Sequence, residues 1–410
     1  MDAILERCAG LDVHQETVVA CVMTGSLDRK PAQEIRTFGT TTNELLQLQD
    51  WLSEQRCTHV AMESTGVYWK PVWNVLEDTF QLVLANAQRI KNVPGRKTDV
   101  KDAAWIAQLL RSGLVESSFV PPEAIRDLRD LTRYRRKLVG TATAEKNRIH
   151  KILQDANIKL TTYISDVFGA SGIVLLESVA AGEVLEADVI KGMVFTKLKN
   201  KVPQLVEALN GRVRSHHRKM IQRHLDHLRY VQHELETLEK EIDELLHPYQ
   251  EEIERLVTIP GIQKDAAASI LAEIGTDMSV FPSEDHLSSW AALSPGSNES
   301  AGKKKGSKTN KGNKGLKTVL CQAGWAAMKV KGSRTASFYY RIVKRRGPKK
   351  ANMALAHLLL RIIYQVLSKK IPYAELGWDY LPKKEKSVAY FVRQIQGLGF
   401  QVKLETQNTI

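Results

Sequence analysis

The sequence predicts an α/β domain built on a central sheet, followed by a mainly helical second half. Up to about residue 120, short apolar runs alternate with helical periodicities, the pattern of a sheet covered by helices. After Pro121 and Pro122 the periodicity is helical over long stretches. A third observation concerns the partner. The 410 residues carry a formal net charge of +13, which points to a polyanion.

Residues 7–25, RCAGLDVHQETVVACVMTG, read as a strand carrying Asp12, a polar turn and a second strand. A helix over 42–55 takes its apolar face from Leu45, Leu46, Leu48 and Leu52. THVAMEST at 58–65 is a short strand ending in Glu63, a helix continues through Trp73 and Leu76, and FQLVLAN at 80–86 is a further strand. The run GRKTDVKDAAWIAQLLRSG then opens another helix with Asp99 and Asp102, which lie three residues apart. Helix capping accounts for such a pair, since acids complement the positive end of a helix. A divalent cation between them accounts for it equally, because residues at i and i+3 share a face.

Beyond the prolines, residues 123–157 form a long basic helical pattern, and a moderately polar connector covers about 160–210. In the next helix Ile221, Leu225, Leu228, Val231, Leu235, Leu238, Ile242 and Leu245 step by four and three with one slip. That is a coiled-coil seam with a stammer. Its charged flanks favour pairing between subunits over packing within one. RLVTIPGIQKDAAASILAEIG at 255–275 looks like a helix-hairpin-helix, in which a glycine turn brings backbone N–H groups to a DNA phosphate. A packing corner between two helices is the alternative. The tail, VAYFVRQIQGLGFQVKLET, predicts a short helix and a strand.

Four cysteines, Cys8, Cys21, Cys57 and Cys321, fall at no metal-ligand spacing and read as free thiols in a reducing cytoplasm. No signal peptide is evident, and ANMALAHLLLRIIYQVL reads as too short to span a bilayer, so no membrane is expected. The charge is unevenly spread: Ser300 to Ala374 contains no Asp or Glu, and residues 301–350 contain sixteen Lys or Arg. A solvated face mixes signs, so this segment reads as a nucleic-acid contact. Its candidate contacts are Lys303, Lys304, Lys305, Lys308, Lys311, Arg345, Arg346, Lys349 and Lys350.

Asp12 ends one strand, Glu63 another, and Asp99 and Asp102 open a helix after a third. Sites in open α/β sheets gather at strand ends, so the four acids can converge. Hard oxygen ligands suit Mg²⁺ or Mn²⁺, and two such ions serve in-line phosphoryl displacement.

Asp12 in GLDVH, Glu63 in MESTGVYW and the run PGRKTDVKDAAWIAQLL resemble the DEDD-type transposases of bacterial insertion sequences, which are related to the Piv DNA invertases. TTTNELLQLQDWL and SDVFGASG are similar as well, and Ala87 departs from a proline common in the family. The resemblance implies an RNase H-like, RuvC-like N-terminal domain with Asp12, Glu63, Asp99 and Asp102 as catalytic metal ligands. It continues through WAALSPGSNESAGKKKGSKTNKGNKGLK and GPKKANMALAHLLLRIIYQVL, which resemble the family's C-terminal transposase domain. There it implies Ser300, in NESAGKK, as the nucleophile. Sequence alone does not choose between Ser297, Ser300 and Ser307. Gly315 and Lys317 stand where the family often has an aromatic residue and Arg.

The expected divisions are 1–160 for the acidic domain with its basic helix, 161–250 for the connector and coiled coil, 251–375 for the serine-bearing domain and 376–410 for the tail. The resemblance further implies a homo-oligomer, dimer or tetramer, acting on donor and target double-stranded DNA at the bacterial nucleoid. It also implies an element-encoded bridge RNA, for which the basic helix and the N-terminal domain are candidate holders. A junction-resolving nuclease or site-specific invertase would use the same acids with water as nucleophile. A non-catalytic architectural protein would need neither the acids nor Ser300.

Overall fold

The computed structural model describes residues 3–64, 66–86, 90, 102–294, 298–300, 303–306, 312–380 and 388–404. The chain divides into two units, Met1–Val120 and Pro121–Ile410.

Alternation along the strands dictates the first unit. Strands β1 (Arg7–Val13), β2 (Thr17–Thr24), β3 (Ala32–Gly39), β4 (His59–Glu63) and β5 (Gln81–Ala85) form one sheet in the order β3-β2-β1-β4-β5. The first three are joined antiparallel, whereas β4 runs parallel to both β1 and β5. Successive side chains point to opposite faces. Ala9, Leu11, Val13, Val60 and Met62 pack with helices α1 (Thr42–Glu54) and α2 (Trp69–Leu76). Cys8, Cys21, Met23 and Ala61 pack with helix α3 (Asp102–Arg111) on the other face. A mixed five-stranded sheet with helices on both faces is consistent with an RNase H-like domain.

Two details differ from the sequence reading. The buried face of α1 is Leu45, Leu48, Trp51 and Leu52, while Leu46 is exposed. Strand β3 was not foreseen, because most of its residues are exposed and it shows no apolar alternation.

Helix α3 lies close on the sheet because the residues between them are small. Ala103 and Ala107 face Gly10 of β1, and a Cβ at Gly10 would overlap the backbone of both. At the far end of α3, Arg111 is 1 % exposed. Its guanidinium donates to the carbonyls of Glu6, Gly25 and Ser26 and so ties the ends of β1 and β2 to the helix.

The second unit opens with α4 (Glu123–Asp155), which packs against α7 (Ser215–Leu246). Asp155 meets Arg214 and His217, Glu145 meets His224 and His227, and Arg135 meets Glu239, so the two helices run antiparallel. At 33 and 32 residues each is about 50 Å long. Most of the seam expected to pair two subunits is covered here within one chain: Ile221, Leu225, Leu228, Val231, Leu238 and Ile242 are buried, and Leu235 and Leu245 are half-buried. Equal lengths and a long connector make that intramolecular solution available, which heptad spacing does not reveal. Where the sequence reading carried the first domain through residue 160, the contacts of α4 run to helices of the second unit.

The connector is not merely polar. Helices α5 (Ala170–Ala181) and α6 (Val202–Leu209) help enclose Leu175, Leu176, Ile190, Val194 and Leu205, all fully buried, against the facing ends of α4 and α7.

Helices α8 (Gln250–Val257) and α9 (Lys264–Ile274) flank the IPGI corner. Gly261 there has φ +83°, and a Cβ on it would overlap the backbone of Ala323 and Ala327 in α11 (Lys314–Ala327). The corner is thus a packing joint against a neighbouring helix, and that approach requires its glycine. Helices α10 (Glu284–Trp290), α11 and α12 (Arg334–Arg346) pack on α13 (Pro348–Lys369). At 22 residues α13 is long and apolar enough to cross a membrane, contrary to the length read from sequence. Its Ala351, Leu355, Ala356, Leu359, Leu360, Ile363 and Val366 instead form the centre of this bundle. The tail contains α14 (Val388–Gly397), and no strand is present among the described residues that follow it.

One buried carboxylate joins α4, α9 and α11. Glu273, 2 % exposed, accepts from Arg133 Nε and Nη2 at 2.8 Å each and from Asn313 Nδ2 at 2.6 Å. Arg129 donates to the carbonyls of Ala272 and Glu273 at 3.0 and 2.9 Å, and Arg136 donates to the carbonyl of Gly315. Burial by itself would raise the Glu273 carboxyl, but the bonds from Arg133 and Asn313 outweigh it and hold it below its usual range.

Removing Arg133 takes the two-nitrogen partner from a buried charge and leaves it Asn313 and, at 3.5 Å, Arg129. Arg133→Ala is expected to cost about 3–5 kcal/mol, read as a lower urea midpoint. Because the folded carboxyl is depressed, the stability that Glu273 supplies is complete above its unfolded pKa of about 4.3 and declines as pH falls through the folded value. Acid titration of Glu273→Gln should therefore lack that decline. Gly10→Ala overpacks the α3–sheet contact, with an expected loss of about 1–3 kcal/mol by the same midpoint measurement. A neutral Gly10→Ala would show that α3 does not rest on β1.

Candidate active site

The parallel register of β1 and β4 pairs Leu11 with Met62. The next residues, Asp12 and Glu63, therefore stand side by side at the ends of neighbouring strands, about 5 Å apart in backbone by strand spacing. Leu11 and Met62 turn into the core beneath α1 and α2, so alternation sends Asp12 and Glu63 to the opposite face, the one covered by α3. Asp102 is the first residue of α3. Three of the four predicted acids thus share one face of one sheet.

Their electrostatics follow. The Asp12 side chain is 24 % exposed and lies 3.2 Å from His14 Nε2. Burial raises its carboxyl above the usual aspartate range; His14 opposes this, and the charges of Asp102 and Glu63 raise it further. Oxygen donors of this kind suit a hard divalent cation. Among the described residues no three His, Cys, Asp or Glu close into a metal-binding group, and Asp99 lies outside those residues.

Ser300 belongs to the second unit. Strands β6 (Asn298–Ser300) and β7 (Lys303–Gly306) pair antiparallel, with Ser300 opposite Lys303 and Glu299 opposite Lys304. From its glycine-, serine- and lysine-rich composition the stretch reads in sequence as a loop running into a helix. The local signal was present: two residues, Ala301 and Gly302, separate polar runs of strand length, a spacing typical of a two-residue hairpin. Lys303, Lys304 and Lys305 are in β7, while Lys308 and Lys311 lie outside the described residues.

The chain leaves this region at Asn313, which caps α11 by accepting from Leu316 N. The same side chain donates to Glu273, so the exit from the serine segment is anchored to the buried carboxylate. Gly315 is required there as well, since a Cβ would overlap Glu273 Oε1. The family's usual aromatic residue has no room at this position.

Arg345 and Arg346 end α12, and Lys349 and Lys350 stand in the first turn of α13; all four are exposed. Cations suit a helix C-terminus but oppose the dipole at an N-terminus. Lys349 and Lys350 therefore sit where local energetics disfavour them. The long basic helix is different. On α4, Arg129, Arg133, Arg135, Arg136 and Arg148 are all engaged with protein groups.

Cys8, Cys21 and Cys57 are buried and Cys321 is half-buried, all free. Burial pushes the first three thiols up to about 11, 11 and 12, which keeps them protonated.

Sequence reasoning missed the residues that position the site rather than form it: Gly10, Glu273 and Asn313. Each acts through a neighbour distant in sequence, so no local pattern marks it.

Comparison with protein families agrees with this layout. A transposase model of the DEDD IS110 type matches residues 9–158, which include all four acids. The model described as transposase IS116/IS110/IS902 family matches residues 253–340, which include Ser300. No curated protein matches the chain. The two matches together cover more than half of the sequence; the chain belongs to the IS110 family of transposases, enzymes that cut and rejoin DNA.

Proposed function

We propose that this transposase mobilises an insertion sequence by metal-dependent cleavage and exchange of DNA strands, with Ser300 as nucleophile. The observation that carries the reading is the placement of Asp12, Glu63 and Asp102 on one sheet face, in a chain whose second half holds the transposase segment with Ser300. Asp12, Glu63, Asp99 and Asp102 would hold Mg²⁺ or Mn²⁺. Such a cation, when bound, supplies Lewis-acid polarisation of a phosphate oxygen.

The chain's own groups do the rest. Ser300 Oγ attacks a backbone phosphorus as its proton leaves, and the P–O bond to one strand breaks, releasing a hydroxyl. The phosphoserine conserves the bond energy. Attack by the hydroxyl of a second strand then restores a phosphodiester and frees the serine. Lys303, Lys304 and Lys305 offset the phosphate charge that develops, and Arg345, Arg346, Lys349 and Lys350 grip backbone phosphates. The acids and Ser300 must reach one phosphate, within a chain or between copies in a dimer or tetramer. Phosphate contacts carry no sequence information, which leaves target choice to base pairing by a bridge RNA.

The test mixes protein, donor and target DNA, the element's transcript and Mg²⁺, and looks for a protein–DNA adduct that resists denaturant. The wild type should form it, Ser300→Ala should not, and the chelated reaction should do nothing. Losing a metal ligand costs at least as much as losing an outer-shell partner, so Asp102→Asn should slow cleavage about a hundredfold or more. Cleaved ends without adduct, unchanged in Ser300→Ala, would overturn the serine assignment and leave a nuclease that uses water.

Replacing Lys349 and Lys350 by Ala removes two phosphate contacts. The slope of log K against log salt for duplex binding should become shallower by about 2, measured by fluorescence anisotropy between low and physiological salt.

A further inference from the structure

Helix α11 is two-faced. Leu316, Val319, Leu320, Ala323 and Ala327 are buried in the bundle. The outer face carries Lys314, Lys317, Thr318, Cys321, Gln322 and Trp325, which line an open groove of about 530 Å³. These positions step by three and four, so they form one stripe about 16 Å long. Trp325 is 39 % exposed at its far end.

The aromatic surface continues beyond the groove. Trp325 meets the buried Tyr339 edge-on with centroids 6.1 Å apart. Tyr339 meets Tyr340 at 5.4 Å, and Tyr340 meets Trp378 at 6.2 Å. Tyr340 and Trp378 are exposed. Arg341 lies over Phe338 and Tyr380. An exposed indole is ordinary when it stands alone. Here three exposed rings are joined through a buried one and held by packing.

Two classes of partner use such a surface. A protein interface would set the rings in an apolar patch and deplete lysine. This stripe instead begins with two lysines, in a stretch from Ser300 to Ala374 that contains no acid. Rings that stack and cations that track a backbone are the two requirements for holding unpaired nucleotides. A duplex offers its phosphates but not its base faces, so it would use the lysines and leave Trp325 idle.

We propose that the outer face of α11 seats an unpaired stretch of DNA strand, with phosphates on Lys314 and Lys317 and a base stacked on Trp325. The inference rests on the DNA-transposition reading, in which strands must leave their duplex before they are exchanged, and it names where a freed strand is held. Charge complementarity and ring exposure select the occupant.

Cys321 provides a direct readout. It lies in the groove, four residues before Trp325, and the other three cysteines are buried. Full-length protein is alkylated with iodoacetamide, with and without a short mixed-sequence DNA strand, its duplex form or the RNA of the same sequence. Binding of each is measured in parallel by anisotropy. The single DNA strand should slow Cys321 alkylation severalfold, and the duplex should not. Trp325→Ala should weaken single-strand binding about tenfold and leave duplex binding within twofold, while Trp325→Phe keeps most of the single-strand affinity. Lys314→Glu, on the exposed first turn, should weaken single-strand binding without touching a packed residue.

Equal protection by duplex and single strand, or unchanged single-strand binding in both Trp325→Ala and Lys314→Glu, would overturn the proposal. Protection by RNA alone would overturn the assignment to DNA. No cleavage is required for these measurements, so they answer independently of Ser300 and the acids. A protein that forms the serine adduct yet leaves Cys321 unprotected would sink the stacking face and keep the proposed function.

Discussion

The Glu273 carboxylate is the constraint on which the second unit depends. It sits at the C-terminal end of α9, where the helix dipole already concentrates negative charge. A buried acid there is tolerable only with cations around it, and α4 supplies them. Arg133 grips the carboxylate with two nitrogens, and Arg129 satisfies the last carbonyls of the helix. Asn313 uses the remaining capacity while capping α11. Three helices are thereby set in register by one group, and one of them begins where the Ser300 segment ends. The basic character of α4 is consequently in large part architectural.

The first unit meets a different constraint, which is distance. Ordinary side chains hold packed layers about 10 Å apart, as between two stacked sheets, but Gly10, Ala103 and Ala107 allow a closer approach. Arg111 fixes the far end of the same helix by three carbonyl contacts. With α3 held at both ends, its first residue, Asp102, is near enough to raise the Asp12 carboxyl. Burial and the two neighbouring acids raise the Asp12 carboxyl, and carboxyls shifted in this way are commonly functional.

Local geometry also separates exposed charges from those used internally. Lys349 and Lys350 oppose the dipole of α13 and are exposed. The arginines of α4 are matched by carboxylates and carbonyls. Composition counts the two sets alike. Gly315 is a related case: its lack of a side chain reads as a weakened motif in sequence, yet the space is filled by Glu273 Oε1.

The sequence by itself determined the order of strands and helices in the first 111 residues, apart from β3, and the identity of the acids at the strand ends. Alternation and apolar runs are local properties, so they survive without a structure. It also determined the family, because Asp12, Glu63, the 95–111 run and the Ser300 segment are contiguous motifs in a required order. The tertiary structure alone decided what covers the α7 seam, what the Gly261 turn approaches, which arginines are engaged and that the 161–210 connector encloses a core. The physical reason is common to all four. Each depends on which surface lies opposite, and an apolar stripe, a glycine or a guanidinium carries no record of its partner until the chain has closed on itself.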